Sequence, residues 1–247
     1  MFQLAADFVQ KTNRHIFLTG KAGTGKTTFL KYIKEQTFKN TVVVAPTGVA
    51  AINAGGVTMH SFFQLPFGPF IPGTKRGFGE EDDFGMDRHA LFRSIRFNHD
   101  KKMLLQELEL LIIDEVSMVR ADSLDAIDAI LRHFRNQPLL PFGGVQVLFI
   151  GDLFQLPPVV PDAEWQLLRE HYASIFFFDA KVLEQAPPLY VELKKIYRQN
   201  EASFIDLLNG IRNNDMTAEQ FGLLDQRYKP HFTGIDEQYI VLTTHNR

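Results

Sequence analysis

The 247-residue chain has no cysteine, no long apolar run and no strong excess of charge of either sign. The absence of cysteine excludes a disulfide scaffold, a thiolate metal site and a cysteine nucleophile. No apolar run approaches the ~18 residues that a membrane-spanning helix needs. The first residues, Met1–Asp7, lack the basic flank of a signal peptide. We therefore expect a soluble, cytoplasmic protein that does not associate with membranes.

The charge balance is 26 basic against 29 acidic residues, a net charge of −3. A chain with this balance has no overall basic field that would attract nucleic acid. Any binding of DNA or RNA must therefore use a local groove. Apolar residues make up 45% of the chain and charged residues 22%, which is typical of a globular protein.

Short apolar or β-branched runs alternate with helical patterns along the chain, which predicts an α/β fold with a parallel sheet and crossover helices. One helix is predicted after a cap at Asp122 or Ser123, because apolar residues recur there at steps of three and four. The predicted strands are His15–Thr19, Thr41–Ala45, Leu110–Ile113, Gln146–Ile150, Leu189–Leu193 and Tyr239–Thr243.

The strongest motif is the segment Gly20–Thr27, which matches the P-loop pattern G-x-x-x-x-G-K-[ST] and lies between a predicted strand and a predicted helix. Its glycines let backbone N–H groups face phosphates at the helix N-terminus. Lys26 is expected to reach the β- and γ-phosphates, and Thr27 to bind Mg²⁺. The other residues expected to contact the nucleotide are Gly23, Thr24, Gly25 and Thr28. The alternative is a glycine-rich turn without a ligand.

A P-loop requires an acidic residue at the end of another buried strand. Asp114 and Glu115 follow the run 110–113. We expect Asp114 to hold the Mg²⁺ shell and Glu115 to act as the general base on the attacking water. The alternative for a strand that ends in two acids is simple surface exposure.

The nucleotide is predicted to be ATP, because the chain has no N-K-x-D segment for guanine and no arginine-rich lid. Gln155 follows the predicted strand Gln146–Ile150, at the sheet edge where ligands bind. A neutral amide there can sense the γ-phosphate through one hydrogen bond. The alternative is a loop amide that bonds to its own backbone.

Two segments that follow strand Thr41–Ala45, residues 46–53 and 58–63, combine hydroxyl groups, a histidine and an aromatic pair. Such groups suit contacts to nucleic-acid phosphates and bases. Considered alone, His60 and Phe62 are more typical of structural roles.

Four segments in this order resemble the PIF (petite integration frequency) helicases, which are superfamily 1 motors. The segments are TGKAGTGKTTFL at 19–30, APTGVAAINAGGVTMHSFF at 45–63, LLIIDEVSM at 110–118 and GDLFQLPPV at 151–159. Residues 122–146 also resemble the stretch that distinguishes this family. The resemblance implies RecA-like domains with helices on both faces of the sheet, ATP hydrolysis, and 5′ to 3′ movement on single-stranded DNA. It also implies roles in DNA repair and telomere maintenance, and a nucleoid location if the protein is bacterial. We expect the protein to be a monomer.

The resemblance also implies roles for individual residues. Gln3 would read the adenine edge, Gln155 would sense the γ-phosphate, and Arg198 would reach that phosphate from across the cleft. The expected DNA contacts are Pro46, Thr47, Gly48, His60, Ser61 and Phe62.

The predicted organisation is a first RecA-like ATPase domain over 1–188, with a small inserted subdomain at about 64–100. Residues 189–247 would begin a second, truncated RecA-like domain. We therefore expect this chain alone to be a weak ATPase that does not unwind DNA. The alternatives are a P-loop ATPase switch that acts on a protein partner and, less consistent with the missing lid, a phosphotransferase.

Overall fold

The computed structural model describes residues 1–72, 86–197 and 202–230. Arg198 and the predicted strand Tyr239–Thr243 lie outside these residues. The chain divides into two compact units, Met1–Asn200 and Glu201–Arg247. The P-loop and both acidic residues of the predicted site belong to the first unit.

The first unit is built on one parallel sheet with the strand order β3-β2-β4-β5-β1-β6. The strands are Ile16–Gly20 (β1), Thr41–Ala45 (β2), Val57–Thr58 (β3), Leu110–Ile113 (β4), Gln146–Gly151 (β5) and Leu189–Leu193 (β6). The parallel sheet is confirmed, and the five predicted strands that lie in the described residues agree with it to within one residue. The two-residue β3 is too short to produce a pattern in the sequence.

The central strands β1, β4 and β5 are buried at every residue, because helices cover both faces of the sheet. Neighbouring residues of a strand point to opposite faces. Phe17 accordingly packs in one hydrophobic core, while Ile16 and Leu18 pack in the other.

Helices α1 (Phe2–Lys11) and α2 (Lys26–Gln36) cover one face, and α7 (Ala121–Phe134) covers the other. The remaining helices of this unit are α3 (Gly48–Ala54), α4 (Met59–Phe63), α5 (Arg88–Ser94), α6 (His99–Glu107), α8 (Asp162–Leu168) and α9 (Lys181–Gln185). Short 3₁₀ turns occupy Val116–Met118, Pro141–Gly144 and Phe177–Asp179.

The predicted domain boundary at 188/189 needs correction. β6 pairs in parallel with β1 from Ile16↔Leu189 to Gly20↔Leu193, so residues 189–193 complete the first sheet. The boundary between the compact units follows Asn200 instead. In the inserted region, Leu91, Ile95 and Phe97 join the core of the first unit rather than forming one of their own.

The predicted cap of α7 at Asp122 or Ser123 is also wrong. The helix begins at Ala121, and its N-cap Arg120 makes no side-chain cap bond. Asp122 is 2% exposed, and its carboxylate is engaged by the guanidinium of Arg120 and by the N–H of Phe70. These tertiary partners explain why an acidic residue stands just inside the helix.

The second unit contains α10 (Ala202–Asn213) and α11 (Ala218–Asp225). Thr217 and Gln220 form a capping box at the start of α11, and the Gln220 amide also donates to the carbonyl of Asp206. Across the three described ranges, no helix is long and apolar enough to cross a membrane.

Candidate functional site

The P-loop connects the end of β1 to the start of α2, and its glycines are required by close packing and by backbone conformation. A Cβ atom on Gly20 would lie 2.5 Å from the carbonyl oxygen of Leu193. Gly25 adopts a left-handed conformation with φ of 94°. The hydroxyl of the buried Thr24 donates to the carbonyl of Lys21 at 2.9 Å and braces the loop from inside. The conformation of this loop therefore depends on the residue types that define the motif.

Lys26 is the first residue of α2, and its ammonium group bends back over the loop. Its Nζ donates to the carbonyl oxygens of Gly20 at 2.6 Å and of Lys21 at 3.2 Å. Thr27 and Thr28 follow in the first turn and are exposed, whereas Phe29 is fully buried. The hydroxyl groups of this turn are therefore accessible from solvent.

Asp114 and Glu115 lie at the carboxyl end of β4. Burial raises the pKa of Asp114 to about 6, and the Glu115 carboxylate adds to this rise, while a backbone hydrogen bond and the Lys26 ammonium oppose it. Lys26 and Asp114 are therefore close enough to interact electrostatically. Glu115 has φ of 50°, a left-handed conformation that non-glycine residues adopt at some energetic cost.

Gln155 lies in the loop that follows β5, and its side chain is exposed. Its backbone N–H donates to the carbonyl of Asp152 at 2.9 Å, and its amide donates to the carboxylate of the same residue at 3.4 Å. Asp152 is 1% exposed and also accepts the N–H of Phe154. The sequence reasoning missed Asp152, although an acid directly after a buried strand is the signal that identified Asp114.

The strand order brings these groups together. β5 lies between β4 and β1, and all three strands run in the same direction, with Ile113↔Phe149 and Thr19↔Gly151 in register. Their carboxyl ends, which carry the acidic pair, the Gln155 loop and the P-loop, therefore share one edge of the sheet. This edge is where open parallel sheets bind their ligands.

Two further predicted nucleotide contacts occupy different positions. Gln3 is exposed on α1, where its amide donates to Asp7 at 3.4 Å. The preceding residue Phe2 packs edge-to-face on Phe29 of α2, so Gln3 lies near the P-loop helix. Arg198 is outside the described residues, but the N–H of Tyr197 donates to the carbonyl of Gly23 at 2.8 Å. The chain after β6 thus returns to the P-loop, a contact that no sequence pattern indicated.

The residues predicted to bind single-stranded DNA follow β2 and β3, whose ends are in register at Ala45↔Thr58. Thr47 caps α3 by accepting the N–H of Ala50. Gly48, His60 and Ser61 are exposed, and Pro46 is half-buried. These residues therefore lie side by side at the carboxyl edge of the sheet.

Phe62 differs from the other predicted DNA contacts because it belongs to the hydrophobic core. It is 7% exposed, packs edge-to-face with Phe63, and carries the ammonium of Lys101 over its ring. A base could stack on Phe62 only after this packing opened, so a direct contact from Phe62 is not supported.

No cluster of three or more His, Cys, Asp or Glu side chains able to hold a metal ion occurs in the part of the chain that the structure describes. Mg²⁺ does not need such a cage, because it binds through one or two carboxylates together with phosphates and waters. The Asp114 carboxylate and the Thr27 hydroxyl are hard oxygen donors of this kind.

Comparisons with known proteins agree with this arrangement. The family model described as PIF1-like helicase matches residues 1–71 and 83–221. The chain is 34% identical over 219 residues to the ATP-dependent DNA helicase PIF7 of Trypanosoma brucei brucei; the match covers 88% of this chain and 20% of that protein. The Bacteroides Pif1 helicase solved with ADP-AlF3 and single-stranded DNA is similar at 45% identity and a TM-score of 0.86, over 99% of this chain and 53% of that one.

A second Bacteroides Pif1 structure, bound to single-stranded DNA, is 47% identical with a TM-score of 0.79 and covers 91% of this chain. The chain spans about half the length of these solved proteins, 53% and 48% respectively. The similarity therefore extends over nearly all of this chain but over only part of its relatives.

Proposed function

The chain belongs to the PIF1-like helicase family, and from this premise we propose that it is the ATP-binding part of a DNA helicase motor. In this proposal the motor hydrolyses ATP and moves 5′ to 3′ along single-stranded DNA. The Bacteroides relative that was solved with ADP-AlF3 and single-stranded DNA supports both ligands. The monomeric state, the direction of movement and a cytoplasmic location remain predictions.

The observation that carries the proposal is the convergence of three elements on one sheet edge. The P-loop, the acidic pair and the Gln155 loop follow β1, β4 and β5, which are neighbours in the sheet. In the proposed site this edge would supply the cation, the carboxylate pair and the amide that hydrolysis of a nucleoside triphosphate requires.

In this site the backbone N–H groups of the P-loop and the N-terminus of α2 would bind the phosphates, with contributions from Gly23, Thr24, Gly25 and Thr28. Lys26 would exchange its carbonyl partners for β- and γ-phosphate oxygens. Thr27 and Asp114 would hold Mg²⁺, which would neutralise part of the negative charge of the phosphates. Gln3 would contact the adenine from α1.

Hydrolysis would depend on groups at the ends of β4 and β5. Glu115, which follows β4, would accept a proton from the attacking water. Gln155 would hydrogen-bond the γ-phosphate and lose that bond after cleavage. Arg198 would stabilise the charge on the transferred phosphoryl group, an assignment that the Tyr197–Gly23 hydrogen bond supports.

Single-stranded DNA would lie over the residues that follow β2 and β3. Pro46, Thr47, Gly48, His60 and Ser61 are the proposed contacts. The loops proposed to bind DNA and the loops proposed to bind the nucleotide both follow β-strands of the same sheet. Nucleotide binding could therefore change the affinity for DNA, as a motor requires.

The nucleotide assignment is tested by titrating a fluorescent ATP analogue with Mg²⁺ into the Lys26→Ala and Lys31→Ala variants. Loss of a charge-assisted phosphate contact should weaken binding by roughly 10- to 150-fold in Lys26→Ala. Lys31→Ala removes an exposed lysine from the same helix and should bind like the unaltered chain. Equal affinities for the two variants would contradict the site.

A second titration distinguishes a DNA helicase from an ATPase switch that acts on a protein partner. A labelled dT oligonucleotide is added at low salt, and its fluorescence anisotropy is followed with and without the nucleotide. Oligonucleotide binding that changes with the nucleotide supports the helicase proposal. Nucleotide binding without any oligonucleotide binding would favour an ATPase switch with a protein partner, because phosphate contacts are strongest at low salt.

A further inference from the structure

The aromatic ring of Phe67 is exposed to solvent next to the proposed DNA contacts. Phe67 is 97% exposed, whereas Phe62, Phe63 and Phe70, its neighbours in the sequence, are buried. The Phe67 ring lies nearly parallel to the imidazole of His60, with 6.2 Å between ring centroids and 18° between ring planes. The two rings thus form a short stack at the surface.

The loop that carries Phe67 is held on both sides. Leu65 and Phe70 are buried in the core, and the N–H of Leu65 donates to the carbonyl of His60. Pro66 and Pro69 fix φ on either side of Phe67 and Gly68, which limits the conformations of the loop. The exposed ring is therefore presented by a constrained loop.

A partly buried ion-pair network fixes the C-terminal side of this loop. The N–H of Phe70 donates to Asp122 at 3.0 Å. The guanidinium of Arg120 donates to both oxygens of Asp122 and to Glu164 at 2.6 Å. Burial lowers the pKa of His60 and Arg120 lowers it further, while Asp122 opposes these two effects.

We propose that Phe67, stacked against His60, is a base-stacking contact for single-stranded DNA. This inference rests on the proposed function and adds a residue that none of the sequence motifs includes. His60 follows β3, whose end is in register with the end of β2 before Pro46–Gly48, so the stack continues the same surface. Every base offers a flat π face, so such a contact suits a motor that moves along any sequence.

The test compares the binding of a labelled dT oligonucleotide by the unaltered chain and by Phe67→Ala, with fluorescence anisotropy at low salt. Loss of one stacked base should weaken binding roughly 5- to 150-fold. Phe67→Tyr keeps a stacking ring and should bind within about threefold of the unaltered chain.

Phe38→Ala is the matched control, because Phe38 is fully exposed and precedes β2, at the opposite edge of the sheet. It should leave the affinity unchanged. Circular dichroism and thermal unfolding of each variant report whether it is folded.

A second measurement uses the Phe67→Trp variant, which adds a fluorophore to the single native Trp165. A base stacked on this ring should quench the added emission as the oligonucleotide binds. Absence of quenching, or equal affinity of Phe67→Ala and the unaltered chain, overturns the stacking role while the proposed function stands. Failure of the unaltered chain to bind the oligonucleotide overturns both.

Discussion

At the scale of single residues, His15 illustrates how burial sets the charge of a side chain. Its Nδ1 accepts the N–H of Val147 at 3.0 Å, and its ring lies edge-to-face with Phe142. Burial lowers the pKa of His15 to about 4, and Arg14 contributes to the decrease. His15 is therefore neutral in the folded protein near pH 7.

This shift predicts a pH dependence of stability. Between about pH 6.5 and pH 4 the unfolded chain protonates His15 while the folded chain does not, so acidification favours unfolding. The expected loss over that range is about 2–3 kcal/mol. His15→Gln removes the titration and should show a correspondingly shallower decrease in the free energy of unfolding, measured by urea denaturation at several pH values. Parallel curves for the two proteins would refute the assignment.

At the scale of elements, α7 connects several segments through its polar side chains. Asp125 accepts the N–H groups of Lys181 and Val182, and so holds the start of α9. Asp128 accepts the N–H of Phe142, which holds the 3₁₀ turn before β5. The stretch 122–146 thus has a structural role in this chain, because its buried polar groups position its neighbours.

Arg135, at the C-terminus of α7, offers a direct test of this role. Its guanidinium donates to the carbonyl of Gly143 and to the carbonyl groups of Leu105, Gln106 and Leu108 at the end of α6. A lysine cannot reproduce this forked geometry. Arg135→Lys should therefore lower the free energy of unfolding by about 2 kcal/mol.

The control for Arg135→Lys is Lys11→Gln, which breaks an exposed pair with Asp7 and should change stability by less than about 0.5 kcal/mol. Denaturant melts of both variants provide the comparison. An equally small effect in Arg135→Lys would show that α7 does not depend on this residue.

At the scale of the whole molecule, the net charge of −3 means that no overall positive charge attracts single-stranded DNA. The proposed contacts, including Phe67, contain no lysine or arginine, and the nearby Arg120 is already paired with Asp122 and Glu164. Few counterions should therefore be released from the DNA.

We accordingly expect a shallow salt dependence of oligonucleotide binding. The slope of log K against log salt should be smaller in magnitude than about 2, since each neutralised phosphate contributes about 0.7 for a single strand. Anisotropy titrations from 50 to 200 mM salt measure this slope. A slope near −5 would mean that the strand lies over a basic surface elsewhere on the molecule.

The sequence alone determined the parallel α/β class, the five longer strands of the described sheet and the P-loop. Each of these depends on local chemistry. Strands buried on both faces read as continuous apolar runs, and a loop with close backbone contacts needs glycine at positions such as Gly20. The acidic pair was found for the same reason, because it directly follows a buried run.

The tertiary structure alone decided which residues lie together and which are exposed. β6 joined the first sheet through pairing with β1, a contact between segments more than 170 positions apart. Asp122 became an ion-pair partner instead of a helix cap, Phe62 was buried, and Phe67 was left in solvent. Burial depends on how all elements pack, so two phenylalanines five positions apart have opposite environments that no local pattern distinguishes.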